Sequence, residues 1–260
     1  MRNLTPIRGL ILFLFAPLIV IWVVPGQAAE PGLRQDAGAF RSVYTGWTYP
    51  LRVYLPASYA ESERNYPVLY ALDGRIRFNL IANQLDELGA EVIVVAIDAT
   101  TNARREIDFV IPGAGAFALF LSEELIPWTE QQYRTDPSAR GLAGHSLAGL
   151  FCALMLLFED PDQRQFNAFL ISDGSFWDMP EKTEQLVARL RVATDSLPVN
   201  LFIAAAIKGD GNYKGSRIFY SLMEESGFSD FNVTYEVYKT NHKGVIEPSF
   251  RDGLAWLYVE

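Results

Sequence analysis

One serine and one distant histidine carry the chemistry available to this sequence. Ser146 lies in Gly144-His145-Ser146-Leu147-Ala148-Gly149, where a short strand-like stretch turns into a long apolar one. A serine attacks a carbonyl only when a base takes its proton. A sharp strand-to-helix turn would hold Oγ clear of the sheet, with space beside it only for residues as small as Gly144 and Ala148. The same turn aims the backbone N–H of Leu147, at a helix N-terminus, at the oxyanion formed in the attack. The plainer alternative is a glycine-rich turn whose serine only caps the helix.

The chain has two histidines. His145 adjoins the serine with its side chain directed away, which leaves it packing or a structural hydrogen bond. His242, in "KTNHKGV" after the last strand-like segment, is therefore the expected base. The acid is expected at Asp210, in "KGDGNY" just past "NLFIAAAI", where glycines permit an abrupt turn. It would accept from imidazole Nδ1–H and fix the tautomer; Glu236 and Glu224 are the fallback acids. Asp73-Gly74-Arg75 ends another strand, and the Arg75 N–H is the expected second oxyanion donor. Asp98 and Asp173 also stand at strand ends. Trp177, in "DGSFWDM", is expected to wall the substrate pocket, unless it is a core aromatic. Arg104, beside Arg105, is a candidate for the pocket rim, with a solvated charge pair as the alternative. With two histidines and one cysteine, no metal site is expected, and serine chemistry of this kind needs no cofactor.

The elements that must position these residues alternate along the chain. Residues 39–56 read as two strands, 66–74 and 90–98 as apolar strands buried on both faces, and 76–88 as a helix between them. Phe117, Phe120, Leu121, Leu125 and Trp128 share one helical face within 117–133. "RGLAGH" is a strand and Ser146 to about Phe158 a helix. Strands at 167–174, 199–207 and 232–239 then alternate with helices at 181–193, 215–226 and 249–258. Such alternation predicts an α/β fold with a mostly parallel central sheet and helices on both faces. Functional side chains of such sheets gather past the carboxyl ends of the strands. Between Asp173 and Val199 there is space for one helix, so no large lid domain and an open site are expected.

Residues 1–29 stand apart. Arg2 and Arg8, an uncharged apolar stretch from Gly9 to Val24, and small residues at Ala28 and Ala29 have the order of a secretory signal peptide. An uncleaved N-terminal anchor is the alternative, and only that version would tie the protein to a membrane. Either way the expectation is an exported, periplasmic or secreted protein, with one domain over 30–260. The net charge is −9, and −11 once residues 1–29 with their two arginines are removed. That surface offers no footprint for nucleic acid. The single cysteine, Cys152, lies among leucines and phenylalanine, where a thiol behaves as a small hydrophobe.

Taken together, "YPVLYALDG", "EVIVVAID", "LSEELIPWTEQQYRTDPSARGLAGHSLAGLFCAL" and "FLISDGSFWD" resemble the esterase D-like branch of the α/β-hydrolases. That branch includes S-formylglutathione hydrolases, feruloyl esterases, mycolyltransferases and enterochelin-type siderophore esterases. The likeness spans most of residues 50–258 and sets Ser146 and His242 on the family's nucleophile and base. It implies an α/β-hydrolase fold and hydrolysis of small-molecule carboxylic esters through an acyl-enzyme. Two departures stand near the site: "SDGS" puts Asp173 where the family often has the proline of Ser-Pro-Ser, and the loop from Arg105 to Phe117 is short. An exported, lidless esterase is most similar to the siderophore group. An acyltransferase on the same residues is the alternative activity. A non-catalytic binding protein on this scaffold would normally lack a triad member, and here a serine, a histidine and a candidate acid are all present.

Overall fold

The computed structural model describes residues 30–176, 180–209 and 212–259. The expected signal segment 1–29, Trp177 and Asp210 lie outside the described residues. Eight strands form one sheet: β1 (Leu33–Arg41), β2 (Thr48–Leu55), β3 (Tyr66–Leu72), β4 (Ile93–Ile97), β5 (Thr135–His145), β6 (Ala168–Ser172), β7 (Ser196–Ala206) and β8 (Ser229–Tyr238). Their spatial order is β1-β2-β4-β3-β5-β6-β7-β8. β1 and β2 pair antiparallel, as do β2 and β4, and every pairing from β4 through β8 is parallel. The structure is an α/β-hydrolase fold, as the alternating pattern and the resemblance led us to expect.

The helices are α1 (Gly74–Leu88), α2 (Asn102–Asp108), α3 (Ala114–Leu119), α4 (Ile126–Gln132), α5 (Leu147–Phe158), α6 (Pro180–Ala193), α7 (Asn212–Glu224) and α8 (Ile246–Tyr258). The helix expected over 117–133 is three segments, since a wider π turn at Phe120–Leu125 joins α3 to α4. The short helix α2 was not anticipated. Its start is fixed locally, because the Thr101 hydroxyl accepts from the Arg104 N–H at 3.1 Å and caps the first turn.

Alternation along the strands divides the core between two layers. Val68, Tyr70 and Leu72 of β3 face Phe117, Phe120 and α5, whereas Leu69 and Ala71 face Phe78 and Ile81 of α1 and Leu254 of α8. β4 is buried along its whole length, as its run of β-branched residues requires. From Ala148 to Leu157 helix α5 is buried on all sides, Cys152 included. A single helix, α6, joins β6 to β7, so no lid domain is inserted there.

The strand order sets the location of the site. From β3 the chain crosses to β4 on one side, while β5 lies on the other, so the order reverses between β3 and β5. A crevice opens past the carboxyl ends of strands at such a reversal. Asp73 and Ser146 immediately follow these two strands.

Candidate active site

Ser146 occupies the turn between β5 and α5 with φ 62° and ψ −122°. A non-glycine residue held there costs on the order of 1–3 kcal/mol, which its surroundings must offset. The surroundings here are glycines and backbone. A Cβ on Gly144 would lie 2.4 Å from the Ala148 carbonyl, and one on Gly149 would meet Gly174 Cα at 3.1 Å. Three backbone bonds then clamp the turn: Ser146 N–H donates to Ser172 O, and the N–H groups of Leu150 and Ser175 both donate to Ser146 O, each at 3.0 Å. The serine side chain makes no capping hydrogen bond to α5. The helix-cap alternative is thereby removed. Oγ instead lies 3.1 Å from Ser175 Oγ, and the Leu147 N–H belongs to the first-turn donors that a helix leaves unsatisfied.

His242, in the loop between β8 and α8, turns Nδ1 to Asp173 Oδ2 at 2.6 Å. Asp173 is 2% exposed and follows β6 with φ 46°. Its other oxygen accepts from Ala206 N–H at 2.9 Å, and Asn212 Nδ2 donates to its carbonyl at 3.0 Å and to Oδ2 at 3.3 Å. Asn212 Nδ2 is also 3.2 Å from His242 Nδ1, but the carboxylate can only accept, so Nδ1 carries the proton and donates to it. In the neutral ring the lone pair is then on Nε2. Asp210, the expected acid, lies outside the described residues; the carboxylate in place on Nδ1 is that of Asp173.

The second histidine is structural. The ring of His145 lies against that of His242, with centroids 4.4 Å apart and planes tilted by 30°. Its Nδ1 pairs with Ser172 Oγ at 3.1 Å, and that hydroxyl with Ser249 Oγ of α8 at 2.7 Å. Burial first, and then the neighbouring imidazole, push His145 down to about 2, so it stays neutral.

Ser146 and His242 open onto one cleft of 210 Å³, lined also by Asp73, Arg75, Arg105 and Lys243. Arg75 is the second residue of α1, after Gly74, and its N–H is another first-turn donor. Gly74 is required at that corner, since a Cβ would lie 2.8 Å from the Ala96 backbone. Asp73 is gripped by Arg105 through two hydrogen bonds of 2.6 and 2.8 Å. Arg104 is not among the cleft residues, which corrects its placement at the pocket rim. It is drawn inward by the fully buried Asp108 four residues on, donates to Tyr49 OH at 3.1 Å, and packs 5.3 Å from the Trp47 ring centroid. Neither arginine is part of a solvated pair, and it is Arg105 that faces the cleft. Ser175, Asn212 and the role of Asp173 escaped the sequence reading.

The family model named Esterase matches residues 42–197, a stretch that holds Ser146 and Asp173 and ends before His242. The ferri-bacillibactin esterase BesA of Bacillus subtilis is 27% identical over 175 residues. That match covers 54% of this chain and 59% of the relative, so the chain spans about three fifths of the relative's length. Among solved structures, an IroE-like serine hydrolase from Shewanella oneidensis matches with a TM-score of 0.74 at 26% identity, over 87% of this chain and 80% of that one. The BES protein from Bacillus cereus matches with a TM-score of 0.74 at 22% identity, over 90% and 99% of the two chains, a likeness of fold.

Proposed function

This chain belongs to the esterase family, and from that premise we propose that it is an exported serine esterase cleaving carboxylic esters through an acyl-enzyme on Ser146. The observation that carries the reading is the convergence of an uncapped serine at φ 62° with a histidine whose Nδ1 is held by Asp173, both on one cleft. In the reaction, His242 Nε2 takes the Ser146 proton as Oγ attacks the ester carbonyl. Asp173 stabilises the imidazolium, and the N–H groups of Leu147 and Arg75 receive the oxyanion. The protonated histidine then gives its proton to the departing alcohol, and water, activated by the same base, releases the acid.

For the substrate, we infer a siderophore-type ester or lactone. The relatives similar in sequence include the ferri-bacillibactin esterase BesA. Arg75, Arg77, Arg105 and Lys243 outnumber Asp73 and Asp98 along the cleft, although the whole chain is acidic. Such a cleft favours an ester with negative charge, as a catecholate has. The test is turnover of p-nitrophenyl esters beside a ferric catecholate trilactone by the wild type, Ser146→Ala and His242→Ala. Each substitution should lower kcat by about 10⁶ with the circular dichroism spectrum unchanged. A Ser146→Ala enzyme with wild-type kcat overturns the mechanism. Export rests on the order of charge and apolar residues in 1–29. N-terminal sequencing of the exported protein should find a start near Glu30 or a retained anchor, and full-length protein confined to the cytoplasm would contradict both.

A further inference from the structure

We propose that Ser175 is a further catalytic residue: its hydroxyl donates a hydrogen bond to Ser146 Oγ and stabilises that oxygen as it leaves the acyl-enzyme. The proposal rests on the reading of Ser146 as nucleophile.

Ser175 is tied to Ser146 at two points, through its backbone N–H to Ser146 O at 3.0 Å and through Oγ to Oγ at 3.1 Å. Two glycines make this approach possible. Gly149 of α5 and Gly174 after β6 meet so closely that a Cβ on the first would lie 3.1 Å from the second, and a Cβ on Gly174 would strike the Phe176 ring at 2.7 Å. Asp173 begins the same turn, so one turn past β6 supplies both the carboxylate for the base and the hydroxyl for the nucleophile.

The direction of the hydroxyl pair follows from satisfaction. Ser175 is 3% exposed, and a buried O–H without an acceptor carries the whole cost of its lost hydration. Among the described residues its side-chain partner is Ser146 Oγ. If Ser146 donated instead, the Ser175 proton would have no described acceptor and the Ser146 proton would be directed away from His242. With Ser175 as donor, its buried proton has an acceptor and the Ser146 proton remains for the base.

That donor acts unequally on the two halves of the reaction. In acylation Oγ gives an electron pair to the carbonyl carbon, so charge on it falls, and a donor there offers little. In deacylation water adds to the acyl carbon and its proton passes to His242. The C–Oγ bond then breaks, the electron pair remains on Oγ, and His242 returns the proton to it. Charge grows on Oγ during that cleavage, and the Ser175 O–H is already aimed at it. Stabilisation by a fixed donor is largest where charge develops.

The test is Ser175→Ala with p-nitrophenyl acetate in rapid mixing, followed by intact-mass analysis. The expected result is an unchanged burst of p-nitrophenol, kcat lower by about tenfold, kcat/KM retained, and acetyl-enzyme accumulating on Ser146. Ser175→Cys, with its weaker S–H donor, should give an intermediate kcat and serves if the alanine variant folds poorly. An unchanged kcat in Ser175→Ala, or an equal fall in kcat and kcat/KM, overturns the role of Ser175 alone. Failure to trap any acyl group on Ser146 of the wild type removes the nucleophile reading and this proposal with it.

Discussion

Two corners past strand ends, one lining the cleft and one behind His242, are built alike and hold different partners. Asp73 follows β3 and Asp173 follows β6, both aspartates in the left-handed region, at φ 58° and φ 46°, and both buried, at 5% and 2% exposure. Asp73 meets the guanidinium of Arg105, and Asp173 meets the imidazole of His242. An arginine keeps its charge at any working pH, so its pair with Asp73 is a fixed strut beside the corner that presents the Arg75 N–H. In the proposed mechanism the imidazole changes charge within each turnover, so the attraction of Asp173 for it would be greater in the transition state than in the ground state. Only such a difference accelerates a reaction. On that proposal the partner, more than the backbone turn or the depth of burial, decides which carboxylate is a strut and which serves the base.

The comparison is most exposed at Asp173. Asp173→Asn keeps the shape and the contacts to Ala206 and Asn212 within reach, but it removes the charge that holds the tautomer and the imidazolium. The expected loss is about 10²–10⁴ in kcat with little change in KM. Asp210→Asn is the contrast and should be nearly silent. A silent Asp173→Asn beside a crippled Asp210→Asn, each read in kcat at saturating substrate, would return the acid to Asp210 and leave Asp173 as a second strut.

How the sequence separates these corners shows what it encodes locally. Ser146 was legible because an elbow demands small neighbours, and small residues leave a motif. The place of His242 on the cleft was legible because it follows the last strand and only one other histidine exists, and the strands could be read from apolar runs between turn residues. The carboxylate that meets His242 was not legible. Asp173 and Asp210 both follow apolar strands and both precede glycine. Their difference is lateral, since β6 lies in register with β5 and sets Ser172 opposite His145, whereas β7 is one strand farther out. Sheet order is a tertiary fact that no local pattern prints. Arg104 did leave a signal. Asp108 stands four residues on, the spacing of a helical ion pair, and it went unread because the short helix α2 has little periodicity of its own. Ser175 left none, because its approach to Ser146 depends on two glycines meeting from different elements.

The smaller test addresses the strut. Arg105→Ala leaves the Asp73 carboxylate buried without its bidentate partner, and stranding one member of a buried pair costs about 3–5 kcal/mol. Arg77 is the nearby cation able to lessen that cost: its buried Nε has no partner among the described residues, and Asp73 offsets part of the burial that lowers its pKa. The urea midpoint should therefore fall clearly. The double variant Asp73→Asn/Arg105→Ala should recover part of the loss, because it strands no charge. Neither residue is placed on the reacting atoms, so kcat of the folded Arg105→Ala enzyme should fall far less than that of Asp173→Asn. The distinction between strut and catalyst requires that ordering. A variant with wild-type stability and the kinetic deficit of Asp173→Asn would show the Asp73 corner taking part in the chemistry, and the two aspartates would then differ in partner without differing in role.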